Sequence, residues 1–201
     1  LELSFFLSLP ATAGLLIASE EIVSSLFGYG SFNQEGVANS AKALFYFALG
    51  LPAFSLIKIL SNFVFARDNT KIPFYFSLIS VIINASISIY YFNDFGFIVI
   101  PIATSISSWI NASFLYYYLN HKKFFKLSSK LIFQFLKISF SVFLMASFLF
   151  YSINFFSDQL EYDSNIKVIY LLSLIISSAV IYFVISLLTK AFKLSDIKIR
   201  Y

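Results

Sequence analysis

Lys58 is the residue best placed for chemistry in this sequence. It lies in Leu56-Ile-Lys-Ile-Leu-Ser, with apolar residues on both sides. A charge held near the middle of a bilayer costs at least about 2.5–3.5 kcal/mol, so it needs a partner, water or a cavity. Two readings are open: a cation that faces a polar cavity and attracts an anionic head group, or a lysine that snorkels to the interface. Gly50 and Pro52 stand about two turns earlier in the same apolar segment. Helix breaks free backbone groups, which are tolerated only where protein or a watery cavity receives them, and in transporters such breaks border the substrate path. The three residues together predict a helix lining a cavity, with Gly50 and Pro52 as breaks beside it and Lys58 as the candidate substrate-binding residue.

Other candidates are sparse. The single histidine, His121, sits in His121-Lys-Lys and has no partners for a metal. No carboxylate lies deep in the second to sixth apolar segments, so neither a general acid/base pair nor a proton relay is expected there. No glycine-rich phosphate loop occurs, and no serine has a His or Asp arrangement near it. The sequence therefore predicts no catalytic residue, no metal site and no cofactor. Glu20 and Glu21 stand at the end of the first apolar segment, before a short apolar run over 22–27; this predicts a helix that reaches the interface, breaks and lies along it. Pro10 with Gly14 predicts an interruption of the first helix. Asn84 and Asn111 are amides within apolar segments, each needing a hydrogen-bond partner from a neighbouring helix. Ala103 with Ser107, and Ser173 with Ser177, have the four-residue spacing of close helix contacts. Lys137, a turn or two inside the fifth segment, is expected to snorkel.

The elements that must position these residues follow from composition. The 201-residue chain is 59% apolar, 20% aromatic and only 12% charged, with no cysteine. Soluble domains carry about 25% charged residues, so there are too few charges here to form a water-facing shell. Six apolar segments, over 3–18, 43–65, 73–92, 97–119, 131–156 and 166–189, are each long enough to cross a hydrocarbon core about 30 Å thick. None shows the alternating polarity of a barrel strand. The expected fold is all-α, a polytopic transmembrane bundle of six helices, with a basic loop over 120–130 and a basic tail over 190–201.

Orientation follows from the cations. Arg67, Lys71, Lys122, Lys123, Lys126, Lys130, Lys190, Lys193, Lys198 and Arg200 all fall at one side of the six segments. The opposite connections hold Glu35, Asp94, Asp158, Glu161 and Asp163, with Lys42 and Lys167 as the cations there. By the positive-inside rule both ends of the chain are cytoplasmic. The net charge of +4 is then membrane topology and predicts no nucleic-acid partner. The apolar run begins almost at residue 1, without a basic flank or cleavage site. That predicts a C-terminal piece of a longer membrane protein.

The motifs Leu9-Pro-Ala-Thr-Ala-Gly-Leu-Leu, Leu26-Phe-Gly-Tyr-Gly-Ser-Phe, Ala48-Leu-Gly-Leu-Pro-Ala-Phe, Lys58-Ile-Leu and Phe65-Ala-Arg-Asp-Asn-Thr-Lys-Ile-Pro, in this order and spacing, resemble the MurJ (MviN) family of lipid II flippases, within the multidrug/oligosaccharidyl-lipid/polysaccharide exporter superfamily. Gly96 and Ala103-Thr-Ser-Ile-Ser-Ser-Trp-Ile-Asn-Ala extend the likeness. It is specific over roughly residues 9 to 112; later segments match only in number, length and basic loops. Asn69 and Ile72 depart from the family pattern in the loop before Pro73.

The resemblance implies the last six of fourteen helices: residues 1–119 as four helices of the C-terminal lobe and 131–189 as a terminal pair. It implies flipping of undecaprenyl-diphosphate-linked peptidoglycan precursor (lipid II) across the bacterial inner membrane by alternating access. The other partners implied are the bilayer and a missing N-terminal lobe that carries the family's cavity arginines. Lys58 matches the family's charged position within a membrane helix. A groove for the polyprenyl tail would lie between residues 131–156 and 166–189. The rival readings are an exporter of another lipid-linked saccharide, a cation-drug exporter disfavoured by the lack of intramembrane carboxylates, a lipid-phosphate transferase disfavoured by the scarcity of Asp and His in the basic loops, and a non-transporting membrane scaffold.

Overall fold

The computed structural model describes residues 2–126 and 128–191. The part of the basic tail that carries Lys193, Lys198 and Arg200 lies outside the described residues. Described elements are helical: α1 (Glu2–Ile17), α2 (Ser19–Phe27), α3 (Gln34–Ala48), α4 (Leu51–Phe65), α5 (Lys71–Phe95), α6 (Val99–His121), α7 (Ser129–Phe155), the short α8 (Ser157–Leu160) and α9 (Lys167–Leu188). A 3-10 turn over Gly96–Ile98 joins α5 to α6.

Four continuous stretches are long and apolar enough to cross a membrane: Gln34–Phe65, Lys71–His121, Ser129–Phe155 and Lys167–Leu188. The second is 51 residues long, about 77 Å as one straight helix, more than twice the hydrocarbon thickness. It folds back at Gly96, whose φ of +59° is a left-handed conformation that glycine adopts without a Cβ clash. It therefore supplies two spans. With the bent pair α1–α2, which passes the same test when its two helices are taken together, the described residues form an all-helical, multi-pass membrane fold.

The contacts divide the chain into two compact groups, with the boundary inside α3. In the group over residues 42–126, α5 and α6 form an antiparallel hairpin. Asn84 donates to the Thr104 hydroxyl at 2.9 Å, Asn111 to Ser77 at 3.5 Å and Asn69 to Tyr118 at 3.4 Å. These pairs lie 20, 34 and 49 residues apart, widening symmetrically about the turn. The α4 helix runs parallel to α6 instead: Leu60 and Val64 pack with Leu115 and Leu119 in one buried cluster. Thus Asn84 and Asn111 both find their partners on the opposite arm of the hairpin, as apolar surroundings demand.

In the group made by residues 2–41 and 128–191, α1 and α7 run parallel and α9 antiparallel. Phe6, Ile138, Met145 and Tyr182 form one buried cluster, and Ala18, Leu149, Leu171 and Leu174 another. At the N-terminus of α7 the Ser128 hydroxyl accepts from the Leu131 amide at 3.3 Å, satisfying one of the donors that a helix start leaves open.

Two expectations from sequence are corrected here. Pro10 does not interrupt the first helix: α1 is continuous through it. A proline removes the donor for the carbonyl four residues earlier, here Phe6, and the Tyr182 hydroxyl replaces it at 2.7 Å. The break falls at Ala18 instead, where α2 turns away from α1 by 75°. Ala18 is bonded on both sides of the bend, its amide to Gly14 and its carbonyl to the Ile22 amide, each at 2.9 Å. With α1 spanning, a turn of that size carries α2 close to the membrane plane. The second correction concerns α9. Ser173 is exposed, and the buried stripe is Lys167, Leu171, Leu174, Ser178, Tyr182 and Ser186. The small residues at helix contacts are thus Ser178 and Ser186, set by the three- and four-residue spacing of that stripe. Ala103 and Ser107, by contrast, are buried as expected.

Candidate functional site

Gly50 and Pro52 mark a break in the backbone between α3 and α4. Gly50 donates to Phe47 rather than to Tyr46, at 2.9 Å, and Pro52 has no N–H to give. Donors arrive from α6: the Ser105 hydroxyl bonds to the Tyr46 carbonyl at 2.5 Å, and the Trp109 indole to the Leu49 carbonyl at 3.0 Å. A Cβ on Gly50 would sit 2.9 Å from the Ser105 Oγ, so glycine is what lets α6 approach this closely. Gly50 and Pro52 are both buried. The break is therefore received by protein, by two side chains of one neighbouring helix.

Lys58 points elsewhere. The buried residues of α4 are Pro52, Ala53, Leu60 and Val64. At 100° of rotation per residue, Lys58 falls on the face turned away from Leu60 and Val64. Ser55, Ser61 and Asn62, three and four residues from Lys58, share that face. Lys58 itself is exposed within this chain. The structure brings Gly50 against Ser105 of α6 and buries Pro52, and it does not bring Lys58 to them. His121 is exposed at the end of α6, its ring stacked on Tyr117 at 6.1 Å.

The other group contains a cavity of about 520 Å³ between α1, α7 and α9. Leu7, Pro10, Leu15, Met145, Ile175 and Phe183 are among the side chains that line it. These are aliphatic and aromatic surfaces, suited to a hydrocarbon chain and not to a charged head group.

Sequence reasoning missed Lys167. It reads as an ordinary cation in an outer connection, yet only 1% of it is exposed. Its ammonium donates to the carbonyls of Tyr162 at 2.6 Å and Gly28 at 3.0 Å. The rings of Tyr29 and Tyr162 lie 4.3 and 4.8 Å from it. Two carbonyls and two ring faces stabilise the charge in place of water. Its partners lie as far as 139 residues away, so no local spacing could reveal the cage.

The sequence model of the family described as lipid II flippase MurJ matches residues 1–173. The chain belongs to the MurJ family. A protein of Rickettsia prowazekii named "Probable lipid II flippase MurJ" is 39% identical over 118 residues, 59% of this chain and 23% of that protein. The MurJ relative from Thermotoga maritima is 39% identical over 128 residues, 62% of this chain and 27% of its own length. The relative from Vibrio cholerae is 25% identical over 193 residues, 96% of this chain and 37% of its own. The chain thus spans about a quarter to a third of these MurJ relatives. A solved structure titled "Lipid II flippase MurJ, inward closed conformation" superimposes with a TM-score of 0.76 at 24% identity, over 92% of this chain and 37% of that one. At that identity the likeness establishes the MurJ fold.

Proposed function

We propose that this chain is the C-terminal part of a lipid II flippase of the bacterial inner membrane. It carries the undecaprenyl-diphosphate-linked peptidoglycan precursor between leaflets by alternating access. It works as a carrier, not an enzyme, and needs the N-terminal lobe of the same protein to complete the cavity. The match of the family model to residues 1–173 carries this reading.

Two features of the fold support it. Lys58 lies on the face of α4 turned away from α6, where it can meet a diphosphate; attraction to such an anion is strong where little water screens it. The apolar cavity between α1, α7 and α9 offers a path for a polyprenyl chain, in the part of the molecule where the family resemblance expects a tail groove. Both ends are cytoplasmic in this reading. The parallel and antiparallel order of the helices supports that assignment, because it gathers basic residues at common ends. Arg67, after α4, sits 4.5 Å over the ring of Phe124, after α6. Lys130, at the start of α7, and Lys190, after α9, share an end because Gln134 bonds to the Ala191 carbonyl.

The test is complementation of a strain depleted of its flippase, using the intact protein. Lys58→Ala is expected to abolish growth while the protein still reaches the membrane at the normal level. Unaltered growth of that variant overturns the role of Lys58. Failure of the unsubstituted protein to complement overturns the flippase reading itself.

A further inference from the structure

The motif Leu26-Phe-Gly-Tyr-Gly-Ser-Phe takes no part in the site described above. Its second half forms the turn between α2 and α3. Within that turn the Tyr29 amide bonds to the Phe27 carbonyl at 2.7 Å and the Phe32 amide to the Tyr29 carbonyl at 3.2 Å. Bonds between near neighbours shape a turn, but they do not fasten it to the rest of the molecule.

The fastening comes from the segment that leads out of α8 into α9. Lys167, the first residue of α9, donates to the Gly28 carbonyl and lies against the Tyr29 ring. The Tyr162 hydroxyl donates to the Phe32 carbonyl at 2.7 Å, across 130 residues of sequence. Lys167 also donates to the Tyr162 carbonyl, so the two holding residues are tied to each other. A lysine buried this completely depends on the groups that replace its water. Were the turn to move away, the ammonium would keep one carbonyl and one ring of its two, and the Phe32 carbonyl would lose its side-chain donor. Both losses oppose separation.

A second tie joins the same helices farther along. Tyr182 stands 15 residues beyond Lys167, about 22 Å along α9, and donates to the Phe6 carbonyl of α1. The α1–α2 pair is thus fastened to α9 near both of its ends. With α7, these helices enclose the apolar cavity of about 520 Å³.

We propose that Lys167 and Tyr162 form a clasp that stays shut through the transport cycle. With it shut, α1, α2 and the terminal helices move as one body, and the walls of the apolar cavity keep their spacing. Lys167 and Tyr162 are positioning residues in this scheme, acting on the turn and not on substrate. The cycle rests on the carrier reading given above; the clasp itself does not.

Hydrogen exchange on the intact protein in nanodiscs tests the clasp without any transport assay. In Lys167→Met the Tyr29 and Phe32 amides should exchange about tenfold faster, and in Tyr162→Phe about threefold faster, while the amides of the α5–α6 hairpin keep their rates. If Lys167→Met does not fold, Tyr162→Phe carries the expectation alone. Unchanged rates at Tyr29 and Phe32, or an equal rise in the hairpin, overturn the proposal. Whether the clasp stays shut is read by cross-linking. Ser31 and Asp163 are exposed on the two joined segments, and a bismaleimide should bridge the Ser31→Cys/Asp163→Cys pair in whole cells without loss of complementation. Failure to bridge, or growth lost only on bridging, overturns the clasp. Failure of the unsubstituted protein to complement overturns the carrier reading instead, and the exchange rates then decide the clasp.

Discussion

The Tyr182 hydroxyl is bonded to the Phe6 carbonyl at 2.7 Å, the very carbonyl that Pro10 leaves without its helical donor. A side chain of α9 thereby repairs a defect in α1, and Tyr182 is 5% exposed, so water is not an alternative partner. Tyr182→Phe is expected to destabilise the protein by about 1–3 kcal/mol, read as a lowered midpoint of thermal unfolding in detergent. Pro10→Ala restores the missing N–H. The double variant should recover most of that loss, and a double-mutant cycle with no coupling would refute the repair.

Lys167 makes a second prediction. Lys167→Ala removes the donor from two carbonyls and the cation from two rings and should cost about 1–3 kcal/mol, the scale of a buried acceptor left unbonded. Lys167→Met keeps the aliphatic volume and should cost less. Lys42, exposed on α3, serves as the control, and Lys42→Met should stay within about 0.5 kcal/mol of the unsubstituted protein. Equal midpoints for all three variants would show that the cage contributes nothing.

Gly50 tests the receiving surface on α6. Gly50→Val places carbon where the Ser105 Oγ is 2.9 Å away and is expected to cost about 1–3 kcal/mol through overpacking. Ser105→Ala should cost about 1 kcal/mol by removing the donor to Tyr46. Combined, the two should lose less than their sum, because the hydroxyl is the nearest atom that a Cβ there would meet, ahead of the Phe54 ring at 3.1 Å. Strict additivity in thermal unfolding would contradict this.

Asn84 is expected to matter little to stability. Hydrogen bonds between membrane helices average about 0.6 kcal/mol, and Asn84 bonds to Thr104 within a hairpin also held by its turn and its apolar contacts. Asn84→Leu should therefore shift the unfolding midpoint only slightly; a loss above about 2 kcal/mol would show that the amide does more than join α5 to α6.

Lys58 should separate folding from transport. It is exposed, so Lys58→Ala should change stability by less than about 0.5 kcal/mol while removing complementation. Parallel loss of both in the same membranes would make it a structural residue.

Much of this molecule is legible in its sequence, because a bilayer leaves few choices. An apolar run of some twenty residues must close its backbone hydrogen bonds within itself. The six segments and the edges of α5, α6, α7 and α9 were therefore readable to within a few residues. The amides of Asn84 and Asn111 announced that partners must exist, and family motifs such as Leu9-Pro-Ala and Ala48-Leu-Gly-Leu-Pro could be recognised. Residue types did not reveal which partner each polar group finds. Pro10 signals a missing bond in any sequence; only the packing of α9 on α1 decided that Tyr182 would mend it. Lys167 has the composition of a surface lysine, and the tertiary arrangement of Tyr29, Gly28 and Tyr162 made it a buried one. Gly50 and Lys58 stand close in sequence, yet Gly50 lies against Ser105 of α6 while the 100° step of α4 puts Lys58 on the face turned away from Leu60 and Val64. Backbone satisfaction is a local demand and is written in the chain; side-chain partnership is a long-range one, settled when the helices pack.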